Sequence, residues 1–160
     1  MIIPSIDLMN GKAVQLKQGK EKVLERKDVL ALAKEFGKYG EIAVIDLDAA
    51  LGKGNNSELI KKICKIADCR VGGGIRTIEK ANEILQAGAK KIIIGTKANS
   101  EFLKQLPKDR VMVAIDAKDN YVVTEGWTKK TNATPQQLIS RLESYCSGFL
   151  FTNVDKEGLM

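Results

Sequence analysis

Two aspartates stand where a chain would place acid–base chemistry. Asp7 closes the apolar run that opens at Ile2, and Asp116 closes Val111-Met112-Val113-Ala114-Ile115. A carboxylate at the rim of an apolar core is partly desolvated, and two such groups across one opening can work as an acid–base pair. The plainer alternative is that each only caps the loop behind it. A second kind of chemistry is written in glycine. Gly72-Gly73-Gly74 precedes Ile75-Arg76-Thr77 and an amphipathic segment. Glycines there let backbone N–H groups approach an anion closely, and a helix N-terminus adds its dipole. Gly95-Thr96 repeats the arrangement on a smaller scale and adds a hydroxyl. Tight turns are the plainer reading of either site alone; the two together mark a phosphate seat. No Gly-Lys-Ser/Thr follows the glycines, and their spacing is not the dinucleotide fingerprint.

Other chemistries have little to build on. The chain has no histidine and three cysteines, Cys64, Cys69 and Cys146, with no CxxC pair. These read as reduced structural thiols, and neither a zinc site nor a Cys–His nucleophile is expected. The 26 Lys and Arg against 20 Asp and Glu give a net charge of +6, which suits an anionic ligand. Lys34, Lys38, Lys61, Lys62, Lys65, Lys90 and Lys91 are scattered, mostly among Glu, as on a solvated surface. Nucleic acid would call for basic residues clustered with aromatics, so it is not an expected partner. No apolar run approaches the ~20 residues of a membrane span, and no basic segment leads an apolar stretch at the N-terminus. The expectation is a cytoplasmic protein with no membrane partner.

The elements that must position these residues repeat one pattern: apolar strand, loop, amphipathic helix. Strands are predicted at 2–7, 42–48, from 70, 91–96, 110–116 and 148–154. Asp28, Ser57, Thr77 and Thr134 are placed to cap helices between them, with Ser100 opening a shorter one. Pro135 after Thr134 suits a first helical turn, and Tyr121-Val122-Val123 reads as a small strand in an excursion. Such alternation means an α/β fold. Every strand carries its unusual residues at its C-terminal end: Asp7, Asp46-Leu47-Asp48, the glycine run, Gly95-Thr96, Asp116 and Thr152-Asn153. A doubly wound sheet would gather only those beside its switch point, whereas a barrel gathers all of them at one mouth. The expectation is an incomplete (β/α)8 TIM barrel, about six of eight βα units, as a single domain over residues 1–160.

With those residues assembled, the chain resembles the ProFAR isomerases, fourth-step enzymes of histidine biosynthesis. The likeness runs through Ile2-Ile3-Pro4-Ser5-Ile6-Asp7-Leu8, Asn10-Gly11-Lys12 and Val14-Gln15-Leu16. It continues in Asp46-Leu47-Asp48 with Ala50, Val71 to Arg76, Ile94-Gly95-Thr96, Ile115-Asp116, Glu125-Gly126-Trp127 and the segment from Thr152 to Gly158. The cyclase subunit of imidazole glycerol phosphate synthase shares the first Asp and the glycine seat, but usually opens with a Cys-Leu-Asp-Val type of motif. Gln15 stands where an Arg is common, Ala49 where a Gly is common, and Asn153 and Glu157 where Asp is frequent.

The resemblance implies a cofactor-free, metal-free Amadori rearrangement of an aminoaldose to an aminoketose. It implies Asp7 as general base at C2, Asp116 as general acid at the ring oxygen, and Thr152 orienting substrate beside Asp116. It implies Trp127 closing over the mouth, and Asp48, Gly73, Gly74, Arg76, Gly95 and Thr96 as further contacts for a phosphorylated sugar. With eight units in the family and six here, the first and sixth strands are expected to lack neighbours. Self-association through those edges and weak or absent turnover follow as expectations. The competing reading is a phosphate-ligand-binding or assembly fragment without catalysis.

Overall fold

The computed structural model describes residues 2–17, 21–125 and 127–156. Strand β1 (Ser5–Met9) turns back through β2 (Lys12–Lys17) into β3 (Glu21–Arg26), an antiparallel hairpin that continues one edge of β1. Helix α1 (Val29–Gly37) leads to β4 (Ile42–Asp46), and a short α2 (Leu47–Leu51) is followed by α3 (Ser57–Cys64). Then come β5 (Cys69–Gly72), α4 (Ile78–Gln86), β6 (Lys91–Ile94), the one-turn α5 (Ser100–Leu103) and β7 (Val111–Lys118). An excursion of β8 (Tyr121–Thr124) and β9 (Lys129–Lys130) precedes α6 (Pro135–Leu142) and β10 (Gly148–Asn153).

Strands β1, β4, β5, β6, β7 and β10 pair in that order, all parallel. Both β8 and β10 pair with β7. Because β10 runs along residues 112–117 on one edge, β8 takes the other, above the point where β6 stops. The result is an incomplete (β/α)8-type barrel wall with antiparallel hairpins added at its upper rim.

The wall follows from its apolar strands. Ile42, Val44, Val71, Ile92, Ile94, Val111, Val113 and Ile115 face the helices and are each 1% exposed or less. Burying such a side chain contributes about 1.5–3 kcal/mol. Helices α1, α3 and α4 meet them with Leu32, Ala33, Ile60, Ile63, Ala81, Ile84 and Leu85. The intervening residues Ile45, Gly72, Ile93, Ala114 and Leu150 face a cavity on the opposite side. At one end the wall is open: β10 has β7 as its one ladder partner among the described residues, and Phe151 is 57% exposed.

Some caps differ from expectation. Thr77 accepts from Lys80 N–H, and Thr134 forms a capping box with Gln137, as the sequence predicts. Asp28 precedes α1 but makes no capping bond, because its carboxylate is taken by the Arg26 guanidinium. Ser57 is the first residue inside α3 rather than its cap, and its hydroxyl accepts from Lys80 Nζ at 2.7 Å. Ser100 opens α5 as the sequence predicts, and Asn99 before it accepts from Phe102 N–H. No helix among the described residues is long and apolar enough to cross a membrane.

Candidate functional site

The C-terminal strand ends surround a cavity of about 660 Å³. Asp7 and Asp116 both line it, from β1 and β7, with Thr152 on β10. Thr152 is the register partner of Asp116, so the two side chains stand together on neighbouring strands. Both carboxylates are half-buried. Ser5 donates its hydroxyl to Asp7 at 3.1 Å. Trp127 reaches over from the excursion and donates its indole Nε1–H to Asp116 Oδ2 at 3.0 Å. That reach needs left-handed backbone at Glu125 (φ 55°) and Trp127 (φ 70°), which side-chain-bearing residues adopt at a cost. The Glu125 N–H donates to Thr96 Oγ1 at 3.3 Å and ties the excursion across the mouth.

Beside the carboxylates lies the glycine run. Gly73 and Gly74 have φ of 96° and 68°, and neither has room for a side chain. A Cβ on Gly73 would collide with the Asp46 carbonyl, and one on Gly74 would sit 2.5 Å from Ala49 Cβ. Their backbone therefore lies flat against the end of β4 and α2, at the cavity's edge, ahead of the nine-residue helix α4. Gly95 and Thr96 also line the cavity and are exposed, but α5 behind them has four residues. A helix that short brings little dipole, so an anion at Gly95-Thr96 would meet local donors alone.

Two of the expected contacts are placed differently. Asp48 does not line the cavity; it is 7% exposed and accepts from Asn10 N–H at 2.6 Å and Asn56 Nδ2 at 2.9 Å. Arg76 does line it, yet its guanidinium donates to the Ala49 and Ala50 carbonyls at 2.9 and 2.6 Å. Its fork anchors α2 at the edge of the cavity. Lys97, Leu16 and Leu51 also line the cavity, and the sequence reading gave none of them a place in the site, Leu16 entering it only as part of a motif. Lys97 could have been found from its place next to Gly95-Thr96; Leu16 could not, since it arrives on an unforeseen hairpin. No group of three or more His, Cys, Asp or Glu among the described residues is arranged to hold a metal ion.

The sequence profile described as "Histidine biosynthesis protein" matches residues 1–160. The chain belongs to this family. A curated relative from Methanocaldococcus jannaschii, named as a phosphoribosyl imidazole-4-carboxamide isomerase, is 42% identical, covering 100% of this chain and 73% of the relative. Others of the same name come from Methanosphaera stadtmanae, 39% identical over 100% of this chain and 73% of the relative, and Archaeoglobus fulgidus, 39% identical over 99% and 71%. The chain thus spans about three quarters of the length of these family members.

Proposed function

We propose that the cavity isomerises a phosphoribosyl aminoaldose to the corresponding aminoketose, with Asp116 as acid and Asp7 as base. The observation that carries this is the meeting of Asp7, Asp116 and Thr152 around one cavity whose edge is a side-chain-free glycine run. Asp116 donates a proton to the furanose ring oxygen as the C1–O bond breaks, leaving an open-chain iminium. Asp7 removes the C2 proton, giving an enolamine, and returns it at C1 while the C2 hydroxyl proton passes to Asp116, which completes the aminoketose and restores both carboxyl groups. No electrons are gained or lost overall, and the protein needs only to hold and move protons. Thr152 orients the substrate hydroxyls beside Asp116. A phosphate lies against the N–H groups of Gly73 and Gly74, with Gly95 and Thr96 adding donors. Trp127 releases Asp116 and stacks on the ligand's imidazole ring. The test is turnover of the aminoaldose in D2O, where the proton that Asp7 takes from C2 exchanges with solvent and deuterium enters the product at C1. Turnover that leaves C1 free of deuterium points to direct hydrogen transfer from C2 and defeats the enolamine route.

A second reading is favoured by the open end of the wall. With Phe151 57% and Leu150 38% exposed on a strand paired along one edge, the cavity is incompletely walled there. On this reading the chain binds the phosphorylated sugar without turning it over, and two copies cover each other's open edges. Light scattering together with the turnover assay separates the readings. A monomer with full turnover removes the second; a dimer that binds but does not isomerise removes the first.

A further inference from the structure

Behind the cavity lies a polar cluster that the proposed chemistry does not use. Asp46, Asp48 and Asn56 are 2%, 7% and 7% exposed, the buried polar side chains among the described residues. Asn56 Nδ2 donates to Asp46 Oδ1 at 2.8 Å and to Asp48 Oδ2 at 2.9 Å. Its Oδ1 accepts from Gly11 N–H at 2.9 Å, and its own backbone N–H donates to Asp46 Oδ2 at 2.7 Å. The carboxylates complete the net: Asp48 accepts from Asn10 N–H at 2.6 Å and Asp46 from Ala49 N–H at 3.1 Å. Two buried carboxylates need donors, and the Gly11 N–H at the edge of the cluster takes an acceptor. A primary amide supplies both from one side chain, which is why a buried Asn fits where Asp or Ser would leave a group unpaired.

The three segments so joined are those that fix the site. The turn at Asn10-Gly11 begins three residues after Asp7. Asp46 ends β4 and caps α2. Helix α2 is in turn the floor of the glycine run, since Gly73 and Gly74 abut Asp46 and Ala49, and Arg76 is held by the Ala49 and Ala50 carbonyls. We propose that Asn56 is a positioning residue, which with Asp46 and Asp48 sets the strand end bearing Asp7 against the Gly73-Gly74 anion seat. This rests on the reading of that glycine run as an anion seat. Asp48 acts through this net rather than by touching substrate.

The test titrates the full chain with inorganic sulfate, dianionic throughout the neutral range, and follows backbone amide resonances. In the wild type, saturable shifts are expected at Gly73 and Gly74. Their absence removes the seat and this proposal with it. Asn56→Asp keeps the shape and the acceptor but removes both donors and adds a third carboxylate. It is expected to weaken sulfate binding about tenfold or more and to shift the Asn10 and Gly11 amides. Arg110→Ala, at the far end of the barrel, is the control for lost stability alone and is expected to leave sulfate affinity within about twofold. Folded Asn56→Asp that binds sulfate like the wild type overturns the proposal while leaving the seat intact. Should Asn56→Asp and Asn56→Ala both fail to fold, the wild type decides. Sulfate must then slow hydrogen exchange at Asn10 and Gly11 as well as at the glycines, and unchanged exchange at the turn overturns the proposal.

Discussion

The two ends of the strands are built from similar side chains and spend them differently. At the far end, charged groups are used on the protein itself. Arg70 pairs with the Glu41 carboxylate inside the wall and sets its Nη1 3.1 Å from Met112 Sδ. Arg110 donates to the Leu85, Ala89 and Lys90 carbonyls. Cys64 and Cys69 bring their sulfurs to 3.2 Å across the turn between α3 and β5. At the mouth, Asp7, Asp116, Thr152 and the glycine N–H groups surround a cavity large enough for a ligand. The same alternation of strand residues thus yields a cross-braced base and an open working face. Substitutions at the two ends should therefore separate stability from activity.

The sharpest separation comes from the carboxylates. Asp7→Asn and Asp116→Asn should each lower isomerisation by about a hundredfold or more, as loss of a general acid or base does. Their melting temperatures should stay close to the wild type. Near-normal turnover in either variant would merge the two ends into one structural role.

The carboxylates were also the most legible part of the site. An Asp after five apolar residues is a sequence signal, because parallel strands buried on both faces read as unbroken apolar runs. The wall was legible for the same reason, and so were Thr77 and Thr134-Pro135. What stayed hidden depends on partners distant in sequence. The hairpin of β2 and β3 is one case: β3, Glu21–Arg26, is exposed along nearly its whole length and has no apolar alternation to announce it. It is held by its ladder to β2 and by the Lys12–Glu25 ion pair. Helix α2 is another, five residues whose cap, Asp46, is steadied by Asn56 ten positions on. Asp48 sits one residue from a cavity-lining leucine, yet its direction is set by the Asn10 turn, which no local pattern reveals.

The far end offers the intermediate effect. Arg110→Ala strips donors from three backbone carbonyls and should cost about 1–2 kcal/mol in a denaturant melt. Turnover per folded molecule should be unchanged. A loss of turnover with stability intact would mean that the ends are mechanically coupled and the division drawn above is too strict.

The smallest effect sits at the cysteine pair. The hydrogen bond shared by the two sulfurs, with Cys69 as donor once Cys64 is a thiolate, holds the Cys64 thiol below its ordinary value, while that same bond and burial push Cys69 far up. A lower value means more thiolate at a given pH, and thiolate is what alkylates. Iodoacetamide near pH 8 should therefore label Cys64 ahead of Cys69 and Cys146. Cys69→Ala removes the donor, raises Cys64 and should slow its labelling by about two- to fivefold. Faster labelling would show that access, not thiolate fraction, governs this end.

The indole bonded to Asp116 has one more consequence. The chain contains one tryptophan, Trp127, so its ultraviolet emission comes from a single ring at the rim of the cavity. Polarity and hydrogen bonding at that ring set the colour and brightness of the light. A ligand that breaks the bond to Asp116 should alter both, and stopped-flow mixing would time the event without a dye or a coupled assay. The protein carries its own optical gauge of an occupied mouth.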